Sequence, residues 1–214
     1  VIEFRGARRR LVETLREKGV TDLAVLRAVD LVPRHLFVPD GLVHRAYEDS
    51  ALPLGDGQTI SQPFVHAMSL QLLQLTGTER VLEVGTGSGY QTALLATLAA
   101  QVFTVERVRS LLDRAREALR QCGANNVSLM LGDGSIGWRE QAPFDAIVVS
   151  AAATEVPEPL AEQLAEGGRM VIPIGSAAQQ SLTLFHKVGG VIRRRDIFAV
   201  KFVPLKGRFG SRKT

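Results

Sequence analysis

The chain has 214 residues, of which 45% are hydrophobic and 22% charged, with a formal net charge of +4. This length suits one compact domain, or one with an elaborated terminus, and excludes two full domains; the composition is not that of a disordered chain or a membrane protein. No apolar run reaches the roughly eighteen residues of a membrane-spanning helix. Val1-Ile2-Glu3-Phe4-Arg5 passes straight into charged sequence, so no secretory leader is expected. Cys122 stands alone, cannot close an internal disulfide and fits a reducing compartment, which makes the cytoplasm the expected location. The arginines at 8–10 and 193–195 and the basic residues from Lys206 to Lys213 carry no interleaved aromatics. They read as solvated surface, and neither a nucleic-acid nor a membrane partner is expected.

Residues 3–31 predict two short helices, because Leu11 and Leu15, then Leu23, Leu26, Ala28 and Val29, recur at helical spacing around a break at Gly19 to Asp22. Pro33 to Pro63 is rich in Pro, Gly and Asp and reads as a long irregular segment, with a brief helix possible near Leu42 to Tyr47. Long irregular segments inside compact domains tend to be lids or binding loops. From residue 64 onward, helix and strand alternate. Helices are expected at Phe64–Leu75, Tyr90–Leu98, Ser110–Gln121 and Pro159–Leu164. Strands are expected at Arg80–Val84, Gln101–Val105, Val127–Leu131, Asp145–Val149 and Met170–Ile174. That rhythm means an α/β, Rossmann-like fold: a mostly parallel twisted sheet with helices on both faces. Ser181–Val188 and Val191–Val203, around Gly189-Gly190, predict an antiparallel C-terminal hairpin. The whole chain is read as one domain: N-terminal helices and loop over 1–63, an α/β core over 64–205, and a polar tail over 206–214. The tail is expected to be disordered and is assigned no function.

Val81-Leu82-Glu83-Val84-Gly85-Thr86-Gly87-Ser88-Gly89-Tyr90 joins the first core strand to the next helix. Glycines there permit a tight turn and close ligand approach, and free helix N–H groups favour negative or polar ligand groups. Tyr90 stands where the dinucleotide fingerprint needs its third glycine, which disfavours NAD. An S-adenosylmethionine site has no pyrophosphate to cradle. Glu83 could meet the ammonium of its aminocarboxypropyl chain directly or through water, and Gly85, Thr86, Gly87 and Gly89 would form the turn around it. Glu106 ends the second core strand and could accept both ribose hydroxyls; pairing with Arg107 or Arg109 is the plainer alternative. Asp133, between Gly132 and Gly134, could accept an adenine amino group, with Gly134 leaving room for the ring; it could equally be turn chemistry.

With these motifs in place, the sequence resembles the bacterial type of the protein-L-isoaspartate O-methyltransferase family over nearly its whole length. The specific residues are Val32-Pro33-Arg34-His35-Leu36-Phe37-Val38-Pro39, Ala46 to Gly55, and above all Gln58-Thr59-Ile60-Ser61-Gln62-Pro63. Pro143 to Val149, Glu166 to Arg169 and Phe202 to Leu205 match downstream. Lys201 stands where an arginine is common.

The resemblance implies a carboxyl methyltransferase that uses S-adenosylmethionine, releases S-adenosylhomocysteine and acts on isoaspartyl-containing proteins and peptides. It implies no metal, and a monomer is expected. It makes Ser61 the active-site hydroxyl, where sequence alone would favour a helix cap. Ile60, His66 and Val203 become candidate substrate contacts; His66 could also be a packing histidine, Val203 a core valine, and Asp49 a loop organiser. Methylation of a small molecule or nucleic acid is the first alternative. Ser150-Ala151-Ala152-Ala153 stands where a base methyltransferase would carry an Asn/Asp-Pro-Pro-Tyr type of motif. A non-catalytic binding module is the second alternative.

Overall fold

In the computed structural model, residues 4–55 and 57–210 are described. Two helices, α1 (Arg5–Glu17) and α2 (Leu23–Leu31), open the fold. Asp22 caps α2 by accepting from the backbone N–H of Ala24 and Val25. Leu11, Leu15, Leu26, Ala28 and Val29 are buried as their spacing predicts, whereas Leu23, the first residue of α2, is 75% exposed. Two 3-10 turns, Arg34–Phe37 and Asp40–Arg45, follow.

The segment expected to be irregular up to Pro63 contains a small antiparallel hairpin. Strands β1 (Leu52–Gly55) and β2 (Gln58–Ile60) pair Leu52 with Ile60. Leu52, Leu54 and Ile60 turn into the core, so the hairpin delivers Ser61 to helix α3 (Pro63–Leu73) from a fixed direction.

The remainder alternates as the periodicity predicts: β3 (Arg80–Val84), α4 (Tyr90–Leu98), β4 (Gln101–Glu106), α5 (Arg109–Gln121), β5 (Val127–Leu131), β6 (Phe144–Val149), α6 (Glu158–Gln163) and β7 (Leu164–Gly175). Strands β8 (Gln180–Val188) and β9 (Val191–Val200) then form the expected hairpin. They extend the same sheet, whose order is β5-β4-β3-β6-β7-β8-β9. Its first five strands are parallel, while β8 and β9 are antiparallel to their neighbours.

Side chains alternate across the sheet with period two. Val81, Val102, Ala146 and Val148 join the core beneath the N-terminal helices, and Leu82, Phe103, Ile147 and Val149 join the core on the other face. Strand order reverses at β3, between β4 and β6, and the carboxyl ends of strands at such a switch point frame a ligand crevice. Residues Lys206 to Gly210, expected to be disordered, instead lie against the β5 end of the sheet. There the backbone N–H of Arg208 donates to Asp133 Oδ2 (2.7 Å) and that of Phe209 to Ser135 Oγ (3.0 Å). The last four residues of the predicted tail are outside the described residues, as is Glu3.

Candidate active site

A cavity of about 1000 Å3 opens at the carboxyl ends of β3, β4 and β6. Ile60, Ser61, His66, Gly85, Thr86, Gly87, Glu106, Gly134 and Val203 all line it, so residues from five separate parts of the chain converge. Glu83, Gly89 and Asp133 are close by but stand behind its wall.

Glu83 is fully buried on the α4 side of β3. Parallel register sets it opposite Thr104 of β4, whose hydroxyl donates to Glu83 Oε2 at 2.7 Å. Thr92 Oγ donates to the same oxygen at 2.5 Å, and Gln91 Nε2 to Oε1 at 3.2 Å. The Thr86 hydroxyl meets Thr104 at 2.6 Å and donates to it, since the Thr104 proton is directed at Glu83. Burial pushes the Glu83 carboxyl up to about 7, against the lowering effect of its three donors, and nearby Glu106 adds to the rise. Glu83 therefore supports the glycine turn from beneath, and Gln91, which does line the cavity, is the side chain through which it reaches the ligand space.

Glu106 holds the turn from the other side. Its Oε2 accepts the Gly87 N–H (2.9 Å), and its Oε1 accepts those of Arg107 and Val108 (2.8 and 2.9 Å). A carboxylate offers about four acceptor positions, so one remains for a ligand hydroxyl. The alternative pairing with Arg107 or Arg109 is not seen; Arg107 contributes only its backbone N–H. Gly89 has φ +85° and caps α4, and a Cβ there would stand 3.1 Å from Ala115 Cβ, so this glycine also lets α5 pack closely.

At the end of β5, Asp133 Oδ1 accepts from the N–H and hydroxyl of Ser135, and Oδ2 from Arg208 N–H. Those backbone and hydroxyl donors, together with the charge of Arg107, hold its carboxyl below the usual range against the opposing effect of burial. The turn chemistry allowed for Asp133 is thus present. Gly134 lines the cavity, and a Cβ there would come within 2.4 Å of Val84 Cγ1, so the missing side chain also lets this turn lie against the end of β3.

Ser61, which lines the same cavity as the glycine turn, is half-buried and follows β2. It does not cap α3, whose N-cap residue is Gln62 with no side-chain capping bond. Asp49 performs that role from fifteen residues upstream. Its Oδ1 accepts the Phe64 N–H (2.8 Å), while Oδ2 accepts from Gln62 Nε2 (3.0 Å) and pairs with Lys18 Nζ (2.5 Å). The Ser61 hydroxyl is left available to the cavity.

His66, one turn into α3, is buried, and its Nδ1 lies 2.6 Å from Gln91 Oε1. Because the Gln91 amide nitrogen already donates to Glu83 and to Ser150 Oγ (3.0 Å), its oxygen faces the imidazole. The His66 proton therefore sits on Nδ1. Burial, helped by the charge of Arg34, pushes this imidazole down to about 3 despite the Gln91 bond, so it is neutral at pH 7. Val203 is half-buried on the opposite lip, where the Ala152 N–H donates to its carbonyl at 2.8 Å. Gln91, Ser150 and Arg34 are the contributors to which motif reading assigned no role, whereas Asp49 is the loop organiser it allowed. Only Gln91 carried a positional hint, in the first turn of the helix after the glycine loop.

The profile of the protein-L-isoaspartate(D-aspartate) O-methyltransferase family matches residues 6–210. A Dictyoglomus thermophilum protein-L-isoaspartate O-methyltransferase is 51% identical over 208 residues, 97% of this chain and 94% of the relative. The Hahella chejuensis protein of the same name is 52% identical, over 95% and 97% of the two chains. Among solved structures, a protein-L-isoaspartate O-methyltransferase superposes with a TM-score of 0.87 at 31% identity, covering 95% of this chain and 67% of the other. A Plasmodium falciparum protein described in the same terms, in complex with S-adenosyl-L-homocysteine, gives 0.82 at 30% identity over 92% and 97%. With a family match over nearly its full length, a methyltransferase fold, and the glycine turn and Ser61 facing one cavity, this chain belongs to the protein-L-isoaspartate(D-aspartate) O-methyltransferase family.

Proposed function

We propose that this protein transfers a methyl group from S-adenosylmethionine to the free α-carboxylate of isoaspartyl residues in proteins and peptides. The observation that carries the proposal is the shared cavity, lined both by Ser61 and by the Gly85–Gly87 turn, which Glu106 clamps. The residues fit the donor. Glu106 keeps an acceptor position for a ribose hydroxyl, the Ser150 hydroxyl stands near the glycine turn, and a volume of about 1000 Å3 is at the upper end of the range for small-ligand pockets. When bound, S-adenosylmethionine supplies an electrophilic methyl on a sulfonium. The remaining tasks fall to the chain.

An α-carboxyl has a pKa of about 3.3 to 3.7 and is ionised at pH 7, so the acceptor needs no general base. His66 agrees with that chemistry. Its imidazole is neutral, with its proton committed to Gln91, and it serves as a wall rather than a proton shuttle. Ser61 orients the carboxylate by donating one hydrogen bond. Holding reacting atoms about 3 to 3.5 Å apart removes several kcal/mol of entropic barrier. Val203, the main chain at Ile60 and the backbone between Phe202 and Leu205 form the lips against which a peptide lies, the Ile60 side chain itself being core. An isoaspartyl linkage lengthens the main chain by one methylene, and a fixed groove can read that length while Ser61 reads the carboxylate. The methyl ester can then close spontaneously to a succinimide, whose hydrolysis partly restores normal aspartate. The lone Cys122 fits a reducing compartment, and we assign the enzyme to the cytoplasm, acting as a monomer.

The test is to incubate the protein with labelled S-adenosylmethionine and an isoaspartyl peptide. The proposal predicts label bound as an ester that mild base releases as methanol. Label that resists base, or no label in the peptide, contradicts it.

A further inference from the structure

Arg34 is fully buried, its guanidinium desolvated in the 3-10 turn that follows α2. Of its donors only Nη2 is hydrogen-bonded, to the main-chain carbonyl of Ser61 at 3.2 Å, whereas Nε and Nη1 have no partner among the described residues. The guanidinium carbon lies over the Tyr90 ring, 4.6 Å from its centroid. Two more buried polar atoms without partners stand on the same cluster, Tyr90 Oη and His66 Nε2, and the two rings meet edge to face at 5.7 Å. Among the described residues no carboxylate forms an ion pair with the guanidinium. The acidic group that acts on it is Asp49, already committed to Lys18, Gln62 and Phe64.

This is a costly way to fill a core. A buried charge with most donors unmet is unfavourable, and replacing such a group by an apolar side chain of similar volume is often neutral or stabilising. Arg34 therefore adds little to stability. It does join the two halves of the site. Tyr90 is the first residue of α4, immediately after Gly89, so its ring is fixed to the glycine turn. The carbonyl that Arg34 grips belongs to Ser61, which lines the same cavity as that turn. Arginine suits the task because one planar group can stack on an aromatic face and donate in its own plane.

We propose that Arg34 is a positioning residue. Seated over the Tyr90 ring and bonded to the Ser61 carbonyl, it sets the distance between the Ser61 hydroxyl and the cofactor turn. The inference rests on the acceptor role given to Ser61 above. Arg34 touches neither reactant and acts only through Ser61.

The test is Arg34→Met, which keeps the length and removes the donors and the charge. The expected result is a kcat for isoaspartyl peptide about 10- to 100-fold lower, the cost of a small misplacement. The dissociation constant for S-adenosyl-L-homocysteine should stay within about twofold, with Tm unchanged or raised because the desolvation cost is gone. A parental kcat would overturn the inference. So would a variant that fails to fold, or one in which kcat, cofactor affinity and Tm all fall together, since each marks a merely structural arginine. Ser61→Ala measured alongside separates the two levels. If it keeps the parental kcat, the role of Ser61 itself fails; if it is impaired while Arg34→Met is fully active, only the role of Arg34 is lost.

Discussion

Three side chains in and behind the cavity lining show how environment divides labour among residues. Ser61 is spared capping duty because Asp49 takes it, and its hydroxyl is available for the acceptor. A hydrogen bond to a charged group contributes about 1.5 to 3 kcal/mol, so Ser61→Ala should lower kcat by about 10- to 100-fold. S-adenosyl-L-homocysteine affinity should hardly change; steady-state kinetics with calorimetric binding checks both, and parallel losses would contradict a purely positional role. Glu83 and His66 are buried groups whose pKa values move in opposite directions, to about 7 and about 3. Between pH 4.5 and 7 the folded state keeps a proton on Glu83 that the unfolded chain has released, so this group's contribution to stability falls as pH rises through that window. His66 works the other way. Unfolded chains protonate it below 6.5, so its contribution is lost as pH falls from there toward 3. The two nearly cancel where their windows overlap. Glu83→Gln should expose the His66 term: relative to the variant, the parent should lose about 3 kcal/mol from pH 4.5 to 7, at about 1.4 kcal/mol per pK unit. Denaturant melts across that range test it, and a difference that stays constant with pH would show that Glu83 does not titrate there.

At the scale of elements, what could be read from the sequence depended on how local the determinants were. Tyr90–Leu98 and Arg80–Val84 begin and end where periodicity places them, because strand, glycine turn and helix are contiguous and each carries its own signal. The β1-β2 hairpin was not visible. Its strands have four and three residues, include Pro53 and Gly55, and become strands only because Leu52, Leu54 and Ile60 find a core assembled elsewhere. The α3 cap was equally hidden, since its acceptor, Asp49, lies fifteen residues from Phe64, beyond the reach of any capping pattern. Asp49→Ala should therefore cost about 2 kcal/mol, the sum expected for a lost cap and the hydrogen bonds of Gln62. It should also reduce kcat through disorder at Ser61. Thermal melts and kinetics check this, with Asp49→Asn expected to recover part of the stability because its oxygen can still accept the Phe64 N–H.

Across the whole molecule, the fold class follows from the alternation of elements, but the strand order is a long-range result. It brings β3 to the switch point and joins Ser61, Glu106 and Val203, more than a hundred residues apart at the extremes, around one cavity. Asp133 shows the limit of motif reading: a strand-end acidic residue matched expectation in place, yet its carboxylate also anchors Arg208, seventy-five residues on, in a tail that composition marks as disordered. Substrate identity is the property that depends on the entire assembly, because the cavity lining proposed to hold the peptide joins residues near 60 to residues near 203. The most direct measurement is kcat/KM for methyl transfer to two peptides identical except for an isoaspartyl or an aspartyl linkage at one position. The account predicts transfer to the isoaspartyl peptide and none detectable to its aspartyl twin. Equal transfer to both, or transfer confined to the aspartyl peptide, would contradict it.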